Sequence, residues 1–160
     1  MAIISADKER MIIETVHSVL DEFSAGPRPF KRLNLEAAQR MASAAHQEAG
    51  RMGIAAVISV VDESGTPILL HRMDGSLLVG VKLAEDKAYS ATALQRPTHE
   101  LAEECRAGKP LFGLQFQDRI TLVGGGFPCR MSGQLVGAIG VSGGTVEQDI
   151  RIASFALESL

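Results

Sequence analysis

Leu122–Asp149 reads LVGGGFPCRMSGQLVGAIGVSGGTVEQD and holds eight of the chain's 16 glycines. A Walker phosphate loop ends in Gly-Lys-Ser/Thr, which is missing here, and a dinucleotide fingerprint needs strand, GxGxxG and helix in succession. Gly124-Gly125-Gly126 runs instead into Phe127-Pro128, which stops a helix from starting there. The segment therefore predicts three short strands, Ile120–Val123, Phe127–Met131 and Leu135–Val141. Gly137 and Gly140 fall inside the last of these, where they admit a bend or close contact with a helix. Ser142-Gly143-Gly144 leads into a closing helix, Val146–Leu160, for which Thr145 and Gln148 offer a capping box. The free N–H groups at that helix start are able to bind an anion. The same glycines serve a tightly packed sheet equally well.

Towards the N-terminus, IAAVISVVD (Ile54–Asp62) reads as a central strand and TPILLHR (Thr66–Arg72) as its antiparallel neighbour. Asp62 is placed to accept hydrogen bonds in the intervening turn, and Gly65 to supply a positive φ. Helices are predicted from Ser5 to Ser24, from Asn34 to about Met52, from Leu77 to Leu94, and over a shorter run from Pro97 to about Cys105. AGPRPFK (residues 25–31) is a linker, so the first helix reads as an appendage that packs on a partner subunit or on its own sheet. Helices grouped with a hairpin and a meander, not alternating with single strands, argue for an α+β fold with a five-stranded antiparallel sheet and against a doubly wound nucleotide fold.

A chain of 160 residues suits one main domain and needs no disulfide staple. A net charge of −3, no tryptophan and one tyrosine disfavour a nucleic-acid platform. No apolar run is long enough for a membrane span, and the charges at residues 7–10 interrupt any leader-like start, so a cytoplasmic protein with reduced Cys105 and Cys129 is expected.

No nucleophile elbow, CxxC pair or preformed zinc spacing is present, so no catalytic residue or metal set is assigned. Four histidines, His17, His46, His71 and His99, are available to ligate haem iron, which requires no spacing pattern. In the loop after the hairpin, Arg72 and Asp74 present charge; Asp74 either contacts a ligand or caps the following helix. On that helix Lys82 and Asp86 form an i, i+4 pair. Lys87, flanked by alanines, either grips an anion in a tight pocket or snorkels to solvent.

Taken in order, VISVVDESGTPILLHRMDG, KLAEDKAYSATAL, RPTHEL, GKPLFGL and the glycine-rich segment resemble the GlcG-like family, which includes the C-terminal domain of PduO-type proteins and secreted haem-binding sensor proteins. The resemblance covers roughly residues 33–160 and leaves residues 1–32 as an N-terminal helix and linker. It implies a profilin-like, three-layer α/β/α sandwich with the antiparallel sheet in the centre. It also implies a homo-oligomer, a dimer or an octamer, that binds haem or, less readily, a corrinoid, with haem degradation attached to the family. With no adenosyltransferase domain beside it, that activity is not expected here. On this reading His17, His46 or His71 supplies an axial ligand and Lys87 or Arg72 pairs with a propionate. Asp74, Gly125, Gly126, Ser142 and Gly143 complete the candidate cofactor site. The rival readings are a non-enzymatic accessory protein of glycolate, diol or glycerol metabolism, or a binder or enzyme of a small organic acid held by Lys87 and the Ser142–Gly144 entrance.

Overall fold

VISVVD, strand β1 (Val57–Asp62), is buried along almost its whole length and lies in the middle of the sheet, as its apolar run, interrupted only by the small Ser59, predicts. The computed structural model describes residues 6–24 and 32–160. The expected Ser5 cap and the linker at residues 25–31 lie outside the described residues. Contacts divide the chain into two units, Met1–Phe30 and Lys31–Leu160.

The first unit is described by helix α1 (Ala6–Ser24), stabilised locally by Thr15 Oγ1 donating to the Met11 carbonyl and by an Arg10–Glu14 pair. Met11, Ile12, Ile13, Val16 and His17 are exposed on it.

The second unit begins with helix α2 (Leu35–Arg51). Asn34 caps it, its Oδ1 accepting from the Ala37 N–H at 2.9 Å. After β1 come β2 (Pro67–Arg72), α3 (Val79–Leu94), the short α4 (Thr98–Leu101), a 3₁₀ turn at Phe112–Phe116, β3 (Gly126–Met131), β4 (Gln134–Ser142) and α5 (Val146–Leu157). All strand pairs are antiparallel, in the order β2-β1-β4-β3. The β1–β2 turn forms as expected. Asp62 Oδ1 accepts from Ser64 N and Thr66 N at 2.8 and 2.9 Å, and Gly65 takes φ +77°. The capping box of Thr145 and Gln148 is also present at the start of α5.

The sheet has four strands among the described residues, not five. Ile120–Val123 does not join it, because side chains take its backbone groups: Ser90 Oγ accepts from the Thr121 N–H at 2.8 Å, and Thr98 Oγ1 donates to the Val123 carbonyl at 2.8 Å. Within this unit α2 and α5 cover one face of the sheet and α3 the other. The first interface is built from the alanines of α2 with Ile58, Val60, Ile139 and Ile152. Each large aliphatic side chain fully buried there contributes about 1.5–3 kcal/mol. Against α3 the contact is closer still. A Cβ placed on Gly140 would collide with the Ala84 carbonyl and lie 2.6 Å from Ala88 N, so α3 rests on the backbone of β4. Asp74 does not cap α3, whose N-cap position is Leu78 with no side-chain cap. No helix among the described residues is long and apolar enough to cross a membrane.

Candidate functional site

Five of the residues singled out in the sequence meet at one end of the sheet. Lys87 enters from α3 and is completely buried. Its ammonium donates to Asp149 Oδ2 at 2.7 Å and to the Val141 carbonyl at 2.8 Å. Asp149, in the first turn of α5, turns back so that its Oδ1 accepts from Gly143 N at 3.0 Å and Gly144 N at 2.9 Å. The anion that the Ser142–Gly144 entrance holds is thus the protein's own carboxylate. Gly125, at φ +114°, passes directly over this pair; a Cβ there would sit 2.7 Å from the Val141 carbonyl and 3.1 Å from Lys87 Nζ. Gly126 lies against the Lys87 backbone and Thr98, and its N–H donates to Thr98 Oγ1 at 3.1 Å. Burial pushes the Lys87 ammonium below the ordinary lysine range, against the opposing pull of Asp149.

Beside this cluster, across Gly124 and the start of α5, lies a cleft of about 620 Å³. Ile120, Leu122, Val123 and Val146 make its walls largely apolar, and Gln115 and Thr121 supply polar edges. His99, from α4, also lines it. The imidazole packs on Phe127 with ring centroids 5.4 Å apart, and its buried Nδ1 has no hydrogen-bond partner among the described residues. Neither Lys87 nor Arg72 lines this cleft.

The remaining candidates fall elsewhere. Arg72 and Asp74 border a separate hollow of about 320 Å³, where Arg72 Nε donates to Ser76 Oγ at 3.4 Å. His46 on α2 and His71 on β2 are both exposed and face each other with ring centroids 6.5 Å apart. His17 stands on α1, in the first unit. Cys105 and Cys129 are buried free thiols, and burial pushes Cys129 up to about 12, which leaves it unreactive.

Asp149 and Thr98 did not stand out as site residues from spacing alone, and His99, though one of the four histidines available to iron, was not among the three named as axial ligand. Asp149 lies too far into its helix for an ordinary cap, and its role appears only when β4 and α3 come together. Thr98 and His99 begin a helix of four residues, too short to announce a face through periodicity.

The family model described as "Haem degrading protein HbpS-like" matches residues 33–158. An uncharacterized 15.0 kDa protein from the dhaT-dhaS intergenic region of Citrobacter freundii is 41% identical over 79% of this chain and 90% of its own length. The corrinoid adenosyltransferase PduO of the same organism is 37% identical over 86% of this chain, which spans 42% of that protein. A crystal structure described as the PduOC:Heme complex superposes with a TM-score of 0.79 at 36% identity, over 81% of this chain and 96% of the other. With a family match over nearly all of residues 33–160 and relatives of this similarity, the chain belongs to the HbpS-like family.

Proposed function

We propose that this protein binds haem in the cleft between α4 and the start of α5, with His99 as the side chain that reaches the iron. The observation that carries the reading is His99 itself. It is a half-buried histidine on the wall of a largely apolar cleft, and its buried Nδ1 has no hydrogen-bond partner among the described residues. A cleft of 620 Å³ falls within the range of cofactor sites, about 300–1,000 Å³. The haem complex of a relative 36% identical supports the choice of ligand.

Bound there, haem supplies a redox-active iron whose ligand field the protein sets. The chain's own residues do the rest. Ile120, Leu122, Val123 and Val146 would shield the porphyrin face from water, and Phe127, packed on His99, would help to orient the imidazole. Lys87 and Asp149 keep the Gly124–Gly126 wall rigid from behind without touching the ligand. No Lys or Arg lines the cleft, so its walls would offer the propionates of a bound haem no basic partner. The same reading includes assembly into a homo-oligomer, in keeping with the exposed apolar run Leu77-Leu78-Val79. Haem degradation is the family's described activity and would be a further step by the loaded protein.

The test is a haemin titration of the haem-free protein followed by the Soret band. Saturation at one haem per subunit is expected, lost in His99→Ala and restored with a shifted band in His99→Met, while circular dichroism stays unchanged. Retention of the native band in folded His99→Ala, or its loss in His17→Ala, His46→Ala or His71→Ala, would assign the iron ligand elsewhere. Absence of any saturable band in folded protein would overturn haem binding itself.

A further inference from the structure

We infer that His46 and His71 form a chelating site for a divalent late transition metal ion, with Cu(II) the tightest binder, separate from the haem cleft. The two residues are 25 positions apart in sequence and share no ligand motif, yet the fold brings their rings to 6.5 Å between centroids, with 78° between planes.

That placement follows from the architecture. His71 pairs with Ile58 across the β1–β2 ladder, so it shares the sheet face that Ile58 packs against α2. Because β2 is an edge strand, this position stays open to water. His46 follows Ala45, which is fully buried, and so lies on the flank of α2 at the rim of the same interface. Each imidazole is therefore carried by a regular element whose backbone is fixed by core packing.

The distance suits one shared ion. Imidazole nitrogens bind such ions at about 2.0–2.1 Å, which puts each ring centre about 3 Å from the metal. Two rings on a tetrahedral ion are then about 5 Å apart, and two opposite each other about 6 Å. The observed 6.5 Å is just outside the second value. Both side chains are exposed, so closing the gap takes only a small rotation about their own bonds. No group of three His, Cys, Asp or Glu that could hold a metal occurs among the described residues, so water fills the other positions. A site of two neutral nitrogens and water selects by the general order of divalent affinities, in which Cu(II) exceeds Ni(II) and Zn(II), and disfavours Mg(II) and Ca(II).

The experiment uses the untagged, haem-free 160-residue chain and copper(II) chloride, followed by calorimetry and electron paramagnetic resonance. One ion per subunit is expected, with nitrogen hyperfine structure from two imidazoles. His46→Ala and His71→Ala should each weaken binding by at least about tenfold, and the double variant no more than either alone, since one lost arm already abolishes chelation. His17→Ala should bind copper as the parent does. Unchanged affinity in the two single variants, additive losses in the double, or a one-nitrogen spectrum would overturn the site. The haem titration is independent of this result, so failure of one reading leaves the other standing.

Discussion

Asp149→Ala would be the most damaging single change in the Lys87 cluster, and its cost can be worked out from the contacts. The carboxylate holds three donors, Lys87 Nζ at 2.7 Å, Gly143 N at 3.0 Å and Gly144 N at 2.9 Å. Gly143 and Gly144 are exposed, so water can take over their N–H groups at little cost. Lys87 has no such escape: it is fully buried and would keep only the Val141 carbonyl at 2.8 Å. Removing one partner of a buried pair costs about 3–5 kcal/mol. That is a large share of a domain stability of about 5–15 kcal/mol. Lys87→Met is the milder change. It fills much of the same volume and leaves Asp149 its two backbone donors, for a loss of about 1–3 kcal/mol. The double variant removes the stranded ammonium and should therefore be more stable than Asp149→Ala alone. Urea unfolding of all four proteins at pH 7 and one fixed protein concentration measures this, provided the slope stays constant across the set. A loss below about 1 kcal/mol in Asp149→Ala, or simple addition of the two single losses in the double variant, would refute the view that Lys87 depends on Asp149.

The turn at Asp62 gives a pH-dependent outcome. Burial acts to raise its carboxyl, but hydrogen bonds from Ser64 and Thr66 and the charge of Arg32 outweigh it and hold Asp62 below the usual 3.8. With the native value lowered, its stabilisation is present above pH 3.8 and disappears as pH falls through that lower value. The stability difference between the parent and Asp62→Ala, about 1 kcal/mol at pH 7, should shrink accordingly in acid-range urea titrations. Gly140→Ala should cost about 3 kcal/mol or more, since the new methyl meets the Ala84 carbonyl and Ala88 N, both backbone; a melting temperature within about 2 °C of the parent would contradict the close contact.

Much of the fold was legible because its signals are local. The buried run VISVVD, the Asp62–Gly65 turn, the Asn34 start of α2 and the Thr145–Gln148 box each follow from a few adjacent residues. The fifth strand failed for a reason that no local pattern carries. Ile120–Val123 is apolar enough for a strand, but Ser90 and Thr98, distant in sequence, claim its backbone first. The site shows the same division. Lys87, Gly125, Gly126, Gly143 and Gly144 were singled out and do converge, but on an internal carboxylate. The meeting of His46 with His71 comes from sheet register and the seating of α2, neither of which is written in the spacing of two histidines.

The seating of α3 on the bare backbone of β4 bears on how a protein of this kind is able to diversify. Where side chains keep two layers apart, a larger residue on one side can be offset by a smaller one on the other, and a lineage can drift through a series of tolerated exchanges. At Gly140 nothing smaller remains to exchange, and the obstructing atoms belong to the main chain of α3. The spacing of these layers is therefore closed to stepwise revision, and accepted change is channelled to surfaces that no such contact governs. The walls of the His99 cleft, set by an irregular segment and a short helix, are one such surface. If haem binds there as proposed, ligand preference can change at these walls while the sheet and α3 remain as they are.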